Sequence, residues 1–388
     1  MRTDRTMRHG KVGGVAGACL LASACAVAAG PDTAEGPALK DVFRDAFLIG
    51  AALNADQFHE RDARGAALVR RHFNATTPEN VLKWEQVHPE LGRYDFANAD
   101  RYVEFGRANG MFIIGHTLVW HSQTPRWVFS DGAGRPVSRD TLLARMRDHI
   151  QTVVARYRGR IKGWDVVNEA LNEDGTLRAT PWLQIIGKDY LVKAFEFARA
   201  ADPEAELYYN DYSLENAPKR NGAIELVRQL RAAGATVHGI GSQGHNRMDW
   251  PTVAQQDSTI AAFASLGLQV MITELDVDVL PPVGEYRGAD ISYRAELQDK
   301  LNPYRHALPE SVQQALARRY AELFGVYLKH KDAISRVTFW GVSDADSWLN
   351  NWPVRGRTSY PLLFGRDGLP KPAFHAVVRV AQQRRAER

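Results

Sequence analysis

The chain has 388 residues, 45% hydrophobic and 24% charged, an ordinary globular composition with ample length for a large core. Its formal charge of +4 comes from 49 basic and 45 acidic side chains, with no long basic run outside the termini. That balance gives no footing to a nucleic-acid partner, and the short Arg-Arg-Ala-Glu-Arg end (384–388) reads as a solvated helix terminus.

The first 30 residues read as an export signal. Arg2, Arg5, Arg8 and Lys11 precede an uncharged stretch, Val12–Ala29, rich in small residues and closing on Ala26-Val27-Ala28. Its Gly and Ala content makes it weakly hydrophobic, which favours cleavage over a retained membrane anchor. Ala22-Ser23-Ala24-Cys25 also resembles a bacterial lipoprotein site, with Ala22 where Leu is usual, so a lipid anchor at Cys25 is the alternative. The expected location is outside the cytoplasm: secreted, periplasmic, or an outer-membrane lipoprotein. Cys19 and Cys25 are the only cysteines, so the mature domain has no disulfide.

Residues 31–42 read as a linker and 43–384 as one domain without internal repeats. Eight short apolar runs predict strands: Phe47–Ala52, Phe73–Thr76, Phe112–Thr117, Gly163–Asn168, Glu206–Asn210, His238–Gln243, Val270–Thr273 and Arg336–Gly341. Seven helical patterns separate them, among them Asp100–Asn109, Arg139–Tyr157, Tyr190–Asp202, Ala223–Ala233, Val253–Leu266 and Val312–His330; an eighth starts at Ala373. In Arg139–Tyr157 the residues Leu142, Leu143, Met146, Ile150, Val153 and Val154 form one stripe at helical spacing. This alternation predicts an α/β fold, a (β/α)8 TIM barrel, with a doubly wound open sheet as the alternative. No Gly-x-Gly-x-x-Gly turn follows any strand, which disfavours nucleotide binding. One long irregular stretch, Asp278–Glu310, follows the seventh strand, at the face where barrel active sites form.

Polar and aromatic residues crowd the strand ends. The second runs into Glu79, Asn80 and Lys83-Trp84, and the third into His116, Trp120, His121 and Gln123. The fourth ends at Asn168-Glu169, the fifth at Asn210, Asp211 and Tyr212. The sixth gives Gln243 and His245, the seventh Glu274 and Asp276, the eighth Trp340 and later Trp348. One such residue is a loop cap; seven strand ends doing this describe a wet, aromatic-lined groove. Sugar hydroxyls require fixed Asn, Gln, Glu, Lys and His, and sugar ring faces require flat aromatics. Glu169 and Glu274 each close an apolar run, where an ionisable group is out of place. Two such carboxyls at one barrel face supply the proton donor and the anion of glycoside hydrolysis. His245 and Gln243 are the expected donors to Glu274. His116 and His121 lack helical zinc spacing, and His-Glu-x-x-His and Gly-x-Ser-x-Gly are absent, so no metal, cofactor or serine triad is called for.

Six segments resemble the family 10 glycoside hydrolases, the endo-β-1,4-xylanases. They are Thr-Pro-Glu-Asn-x-x-Lys-Trp (77–84), Gly-His-Thr-Leu-Val-Trp-His-Ser-Gln-Thr-Pro-x-Trp (115–127), Trp-Asp-Val-Val-Asn-Glu (164–169), Gly-Ile-Gly-x-Gln-x-His (239–245), Ile-Thr-Glu-Leu-Asp (272–276) and Phe-Trp-Gly-Val-x-Asp (339–344). Val81-Leu82 departs from the family's more usual Glu-Met. The resemblance implies Glu169 as general acid/base and Glu274 as nucleophile. It implies Asn168 on the sugar 2-hydroxyl, and His245 and Asp276 as the pair that polarises the nucleophile, with Gln243 in support. Glu79, Asn80, Lys83, His116, Trp120 and Gln123 would wall the glycone side. Trp340 and Trp348 would lie over it as a lid, and Tyr212 is placed on the aglycone side. The implied partners are xylan and xylo-oligosaccharides, acted on by a monomer. A β-1,4-glucanase or mannanase on the same barrel, and a non-hydrolysing glycan-binding protein, are the alternatives.

Overall fold

The computed structural model describes residues 36–284 and 288–386. The expected export signal, with Cys19 and Cys25, lies outside the described residues, as do residues 31–35 of the expected linker.

The strands are β1 (Leu48–Leu53), β2 (Ala75–Pro78), β3 (Phe112–Val119), β4 (Gly163–Asn168), β5 (Glu206–Asp211), β6 (Gly239–Ser242), β7 (His245–Arg247), β8 (Gln269–Asp278) and β9 (Ile334–Phe339). Every pairing is parallel, in the order β6-β5-β4-β3-β2-β1-β9-β8-β7, and the β6–β8 pairing closes the ring. With β6 and β7 as two halves of one segment, this is the closed eight-stranded (β/α)8 barrel that the alternation predicts.

Helices fill the connections because their apolar stripes have a sheet to cover. Arg139–Arg156 buries Leu142, Met146, Ile150, Val153 and Val154, and the Ser138 side chain accepts from the Thr141 amide to cap it. Two helices differ from expectation. Ala63–His72 joins β1 to β2 and takes Phe73 as its C-cap, so β2 starts at Ala75 rather than Phe73. Ala217–Ala232 starts six residues before Ala223, because Pro218 is tolerated in a first turn and the polar run behind it carries no apolar stripe to betray the helix.

The main core lies between barrel and helices; a smaller one of Ile114, Tyr208 and Met271 lies apart from it, on three barrel strands. Gly115 makes room in the wall: a Cβ there would stand 2.1 Å from the Trp164 ring. The end of the expected linker is corrected. Leu39–Val42 is a helical turn with Leu39 fully buried, because Leu39, Val42 and Phe43 join the apolar cluster that includes Phe324 and Phe374.

β8 is longer than the expected Val270–Thr273. Its register against β9 shifts between Ile272 and Leu275, and its last residues pair instead with β7, His245 opposite Asp276. Glu274 therefore sits within a strand rather than at its end, and β7 carries His245 to it. Among its described residues, the Asp278–Glu310 stretch holds one short helical turn, Asp299–Leu301, before the helix that opens at Glu310. The stretch is tied down by the Asp290–Arg178 ion pair at 3.0 Å and by Ala295, whose amide donates to the Pro353 carbonyl at 3.0 Å.

Candidate active site

Glu169 follows β4 directly, in the left-handed region at φ 57°. That conformation is unfavourable for a side chain of this size and is held from both sides. The Glu169 amide donates to the Asn210 carbonyl at 2.9 Å, and the next amide, Ala170, donates to the Tyr209 hydroxyl at 3.2 Å. The carboxyl is 5% exposed. It accepts from Trp120 Nε1 at 2.8 Å, Gln243 Nε2 at 3.0 Å and Asn168 Nδ2 at 3.2 Å. Burial, and after it the Asp211 carboxylate, push its pKa up to about 7 against the hydrogen bond from Gln243.

Glu274 is equally buried, at 4% exposed, but differently served. Asn210 Nδ2 donates to its Oε1 at 2.9 Å, and His245 Nε2 stands 3.2 Å from its Oε2. The other ring nitrogen of His245 is 3.1 Å from Asp276 Oδ2, which also accepts from Trp348 Nε1 at 2.7 Å. Burial acts against the His245 charge, but Asp276 and Glu274 together push its pKa up to about 10. The imidazolium then holds Glu274. Burial alone would raise that carboxyl, yet the His245 hydrogen bond, the nearby His116 and the Asn210 amide keep it below the usual carboxylate value. One cleft thus holds a carboxyl suited to giving up a proton near neutrality and a second suited to staying an anion.

The cleft has a volume of about 480 Å³, within the range of small-ligand sites. On one side Lys83 donates to Asn80 Oδ1 at 3.0 Å and Gln123 Oε1 at 2.8 Å, and its ammonium sits 5.0 Å over the Trp120 ring. Burial pushes Glu79 above and Lys83 below their ordinary values. His116 bonds Asp165 at 2.9 Å and meets Trp340 edge-on. Trp348 tilts over His245 and stacks on Trp352, ring centroids 4.4 Å apart. The long loop adds Ala289, Ile291 and Arg294 to the lining.

Most of the expected site residues therefore come together: Glu79, Asn80, Lys83, His116, Trp120, Gln123, Glu169, Gln243, His245, Glu274, Trp340 and Trp348 all line this cleft. Asn168 and Asp276 lie just behind it, bonded to Glu169 and to His245. Two expectations need correction. Gln243 serves Glu169 rather than Glu274, because its side chain points to the β4 carboxylate while only its carbonyl meets the Glu274 amide, at 2.7 Å. Tyr212 is 4% exposed and lies behind the wall. Its hydroxyl accepts from Arg178 at 2.6 Å and its face carries the Lys219 ammonium at 3.5 Å. His121 is only partly buried, yet desolvation, with Arg178 next, lowers its pKa to about 4. The residue that sequence reasoning left out is Asn210. It joins Asn168 Oδ1 and Glu274 Oε1 through one amide and is itself held by Thr273 Oγ1 at 2.7 Å. Its place at a strand end is visible in the sequence; its link between Asn168 and Glu274 required the fold.

A carboxyl pair with divided protonation, in an aromatic-lined cleft of a (β/α)8 barrel, defines a glycoside hydrolase. Comparison with known proteins makes that specific. The chain matches Glycosyl hydrolase family 10 over residues 38–380, and it belongs to that family. It is 44% identical over 344 residues to an endo-1,4-beta-xylanase A of Xylanibacter ruminicola, covering 89% of this chain and 93% of that one. It is 41% identical over 346 residues to an endo-1,4-beta-xylanase of Geobacillus stearothermophilus, covering 89% and 98%. Among solved structures, a GH10 endoxylanase retrieved from sugarcane soil metagenome superposes with a TM-score of 0.85 at 43% identity, covering 88% of this chain and 99% of that one. Xylanase B of Clostridium stercorarium F9 superposes with 0.80 at 39% identity, covering 88% and 99%.

Proposed function

We propose that this family member is an endo-1,4-β-xylanase that hydrolyses internal β-1,4-xylosidic bonds of xylan with retention at the anomeric carbon. Glu274 is the nucleophile and Glu169 the general acid/base. The observation that carries these roles is the divided protonation of the two buried carboxyls, Glu169 raised to about 7 and Glu274 held low. Glu274 attacks the anomeric carbon while the Glu169 proton passes to the departing glycosidic oxygen, so the C–O bond to the leaving sugar breaks as the glycosyl ester forms. Glu169, now ionised, takes a proton from water. That water displaces Glu274 and releases the sugar. Asn168 is the partner for the 2-hydroxyl of the sugar under attack. We read Lys83, Trp340 and Trp348, which line the cleft, as the side chains that crowd a hydroxymethyl branch, as the resemblance implies, and so favour xylose over glucose.

The test of roles is leaving-group dependence. Glu169→Ala should depress turnover of xylan by several orders of magnitude and that of dinitrophenyl β-xylobioside far less, because a good leaving group needs no proton. Equal losses on both would remove Glu169 as the acid. Proton NMR of the first product should show the β-anomer, and reducing-sugar release should be high on xylan and low on carboxymethylcellulose and mannan. We further propose that residues 1–30 export the enzyme; mass spectrometry of the mature N-terminus separates a start near Ala29 from a lipidated Cys25. We also propose that the enzyme acts as a monomer, which sedimentation would test.

A further inference from the structure

Behind β5, away from the cleft, lies an ion pair for which the mechanism above has no use. Asp211 and Lys219 are both fully buried, with Lys219 Nζ 3.0 Å from Asp211 Oδ1. Lys219 sits in the first turn of Ala217–Ala232, its ammonium over the Tyr212 ring and 3.3 Å from the half-exposed Glu173. The Tyr212 amide donates to the same Asp211 oxygen at 2.9 Å. The other oxygen, Oδ2, takes a short hydrogen bond from the Tyr209 hydroxyl. That hydroxyl in turn accepts from the Ala170 amide, the residue next to Glu169. A chain of contacts therefore runs from Lys219 through Asp211 and Tyr209 to the left-handed turn that aims Glu169.

We propose that Asp211, seated by Lys219, is a positioning residue for Glu169: its charge acts on the Glu169 carboxyl, and its bond to Tyr209 fixes the backbone that carries it. The inference rests on the reading of Glu169 as acid/base. Burial removes the water that would screen Asp211, so its charge acts on Glu169 even though Lys219 offsets part of it. After burial itself, Asp211 is the largest influence raising the Glu169 pKa, ahead of Glu274. The other groups facing Glu169 act differently. Trp120 and Gln243 donate to it, Glu274 repels it, and the cations Lys83 and Arg178 attract it. None of those cations can substitute for the missing anion if Asp211 is neutralised; they push the same way as its loss.

The experiment is the pH profile of kcat/KM on xylotetraose for the wild type, Asp211→Asn, Lys219→Arg, the double variant Asp211→Asn with Lys219→Met, and Glu169→Gln. Removing the anion makes Glu169 easier to ionise, so its proton is lost at lower pH. Asp211→Asn should bring the basic limb down by about one pH unit. It should leave dinitrophenyl β-xylobioside, which needs no proton, largely unaffected. Lys219→Arg should keep the limb in place. The double variant removes the lysine that Asp211→Asn strands and should show the lowered limb again. A limb that stays put in both asparagine variants overturns the proposal. So does a matching loss on both substrates, or failure of both variants to fold while Lys219→Arg folds, since each assigns the pair a purely structural role. Glu169→Gln separates the premises: if it retains the wild-type basic limb, the acid/base reading has failed instead.

Discussion

The sharpest consequence of the geometry concerns His245→Asn. In the wild type the imidazolium lies between two carboxylates, 3.2 Å from Glu274 and 3.1 Å from Asp276. An amide carries no charge and, being shorter, reaches at most one of them. Glu274 would then keep Asn210 as donor and His116 nearby but lose the cation bonded to it. A hydrogen bond from a charged donor is worth about 1.5–3 kcal/mol, or about one to two pH units at 1.36 kcal/mol per unit. The acid limb of kcat/KM should rise by that amount, read on dinitrophenyl β-xylobioside so that proton donation is not limiting. The basic limb, set by Glu169, should hold. Stability gives a second readout. A group raised from 6.5 to about 10 contributes stability that is full below 6.5 and fades as pH climbs through about 10. The wild type should lose urea resistance across that alkaline window, and the variant should lose less there. An unmoved acid limb in a folded His245→Asn enzyme would refute the claim that this imidazolium keeps the nucleophile ionised.

Three further outcomes follow from the same contacts. Glu274→Ala should abolish turnover in a chain that still folds, with a lowered unfolding midpoint because the buried His245 imidazolium loses one of its two carboxylates; retained turnover would remove Glu274 as the nucleophile. Trp348→Phe deletes the 2.7 Å donor to Asp276 and should cost about 1–3 kcal/mol in urea denaturation, with a raised KM from the altered platform beside Trp352. Gly241→Ala would place a Cβ 2.3 Å from Asn210 Oδ1, so a stability loss of about 1–3 kcal/mol should come with a disproportionate fall in kcat as Asn210 shifts from Glu274.

What the sequence made legible was whatever one strand or one helix decides alone. The Arg139–Arg156 stripe and the apolar runs of β3 and β4 carry their own periodicity, and strand ends in a parallel barrel all face one way, so Glu169 and Glu274 could be put on one face. Contacts between strands were not legible. Whether Gln243 bonds Glu169 or Glu274 depends on the angle between β4, β6 and β8, which no local pattern records. Asn210 looks like any strand-end amide until β4 and β8 close around it. Tyr212 follows a strand as a sugar-stacking aromatic should, yet Arg178, from a separate segment, and Lys219, from the helix just after it, cover it. Leu39 looked like linker because the aromatic cluster it completes lies more than three hundred residues away in part, at Phe374.

Burial at the two carboxyls is nearly equal, 5% and 4% exposed, and burial alone raises any carboxyl, so it cannot be what distinguishes them. The difference must come from what each strand presents. The neighbours of Glu169 are the neutral donors Trp120, Gln243 and Asn168, with Asp211 as an added anion. Neutral donors can orient a carboxyl whether or not it is protonated, which suits a group that must give up a proton and take it back within one cycle. Glu274 faces a cation whose own charge is maintained by a further carboxylate, Asp276, so its ionised form is favoured through every step except the one in which it is esterified. The register shift that carries β8 beyond Thr273 and pairs it with β7 is what sets His245 opposite Asp276 and within reach of Glu274. A barrel whose seventh barrel strand stopped at the last apolar residue would leave Glu274 without its bonded cation, raised by burial as Glu169 is, and unfit to attack.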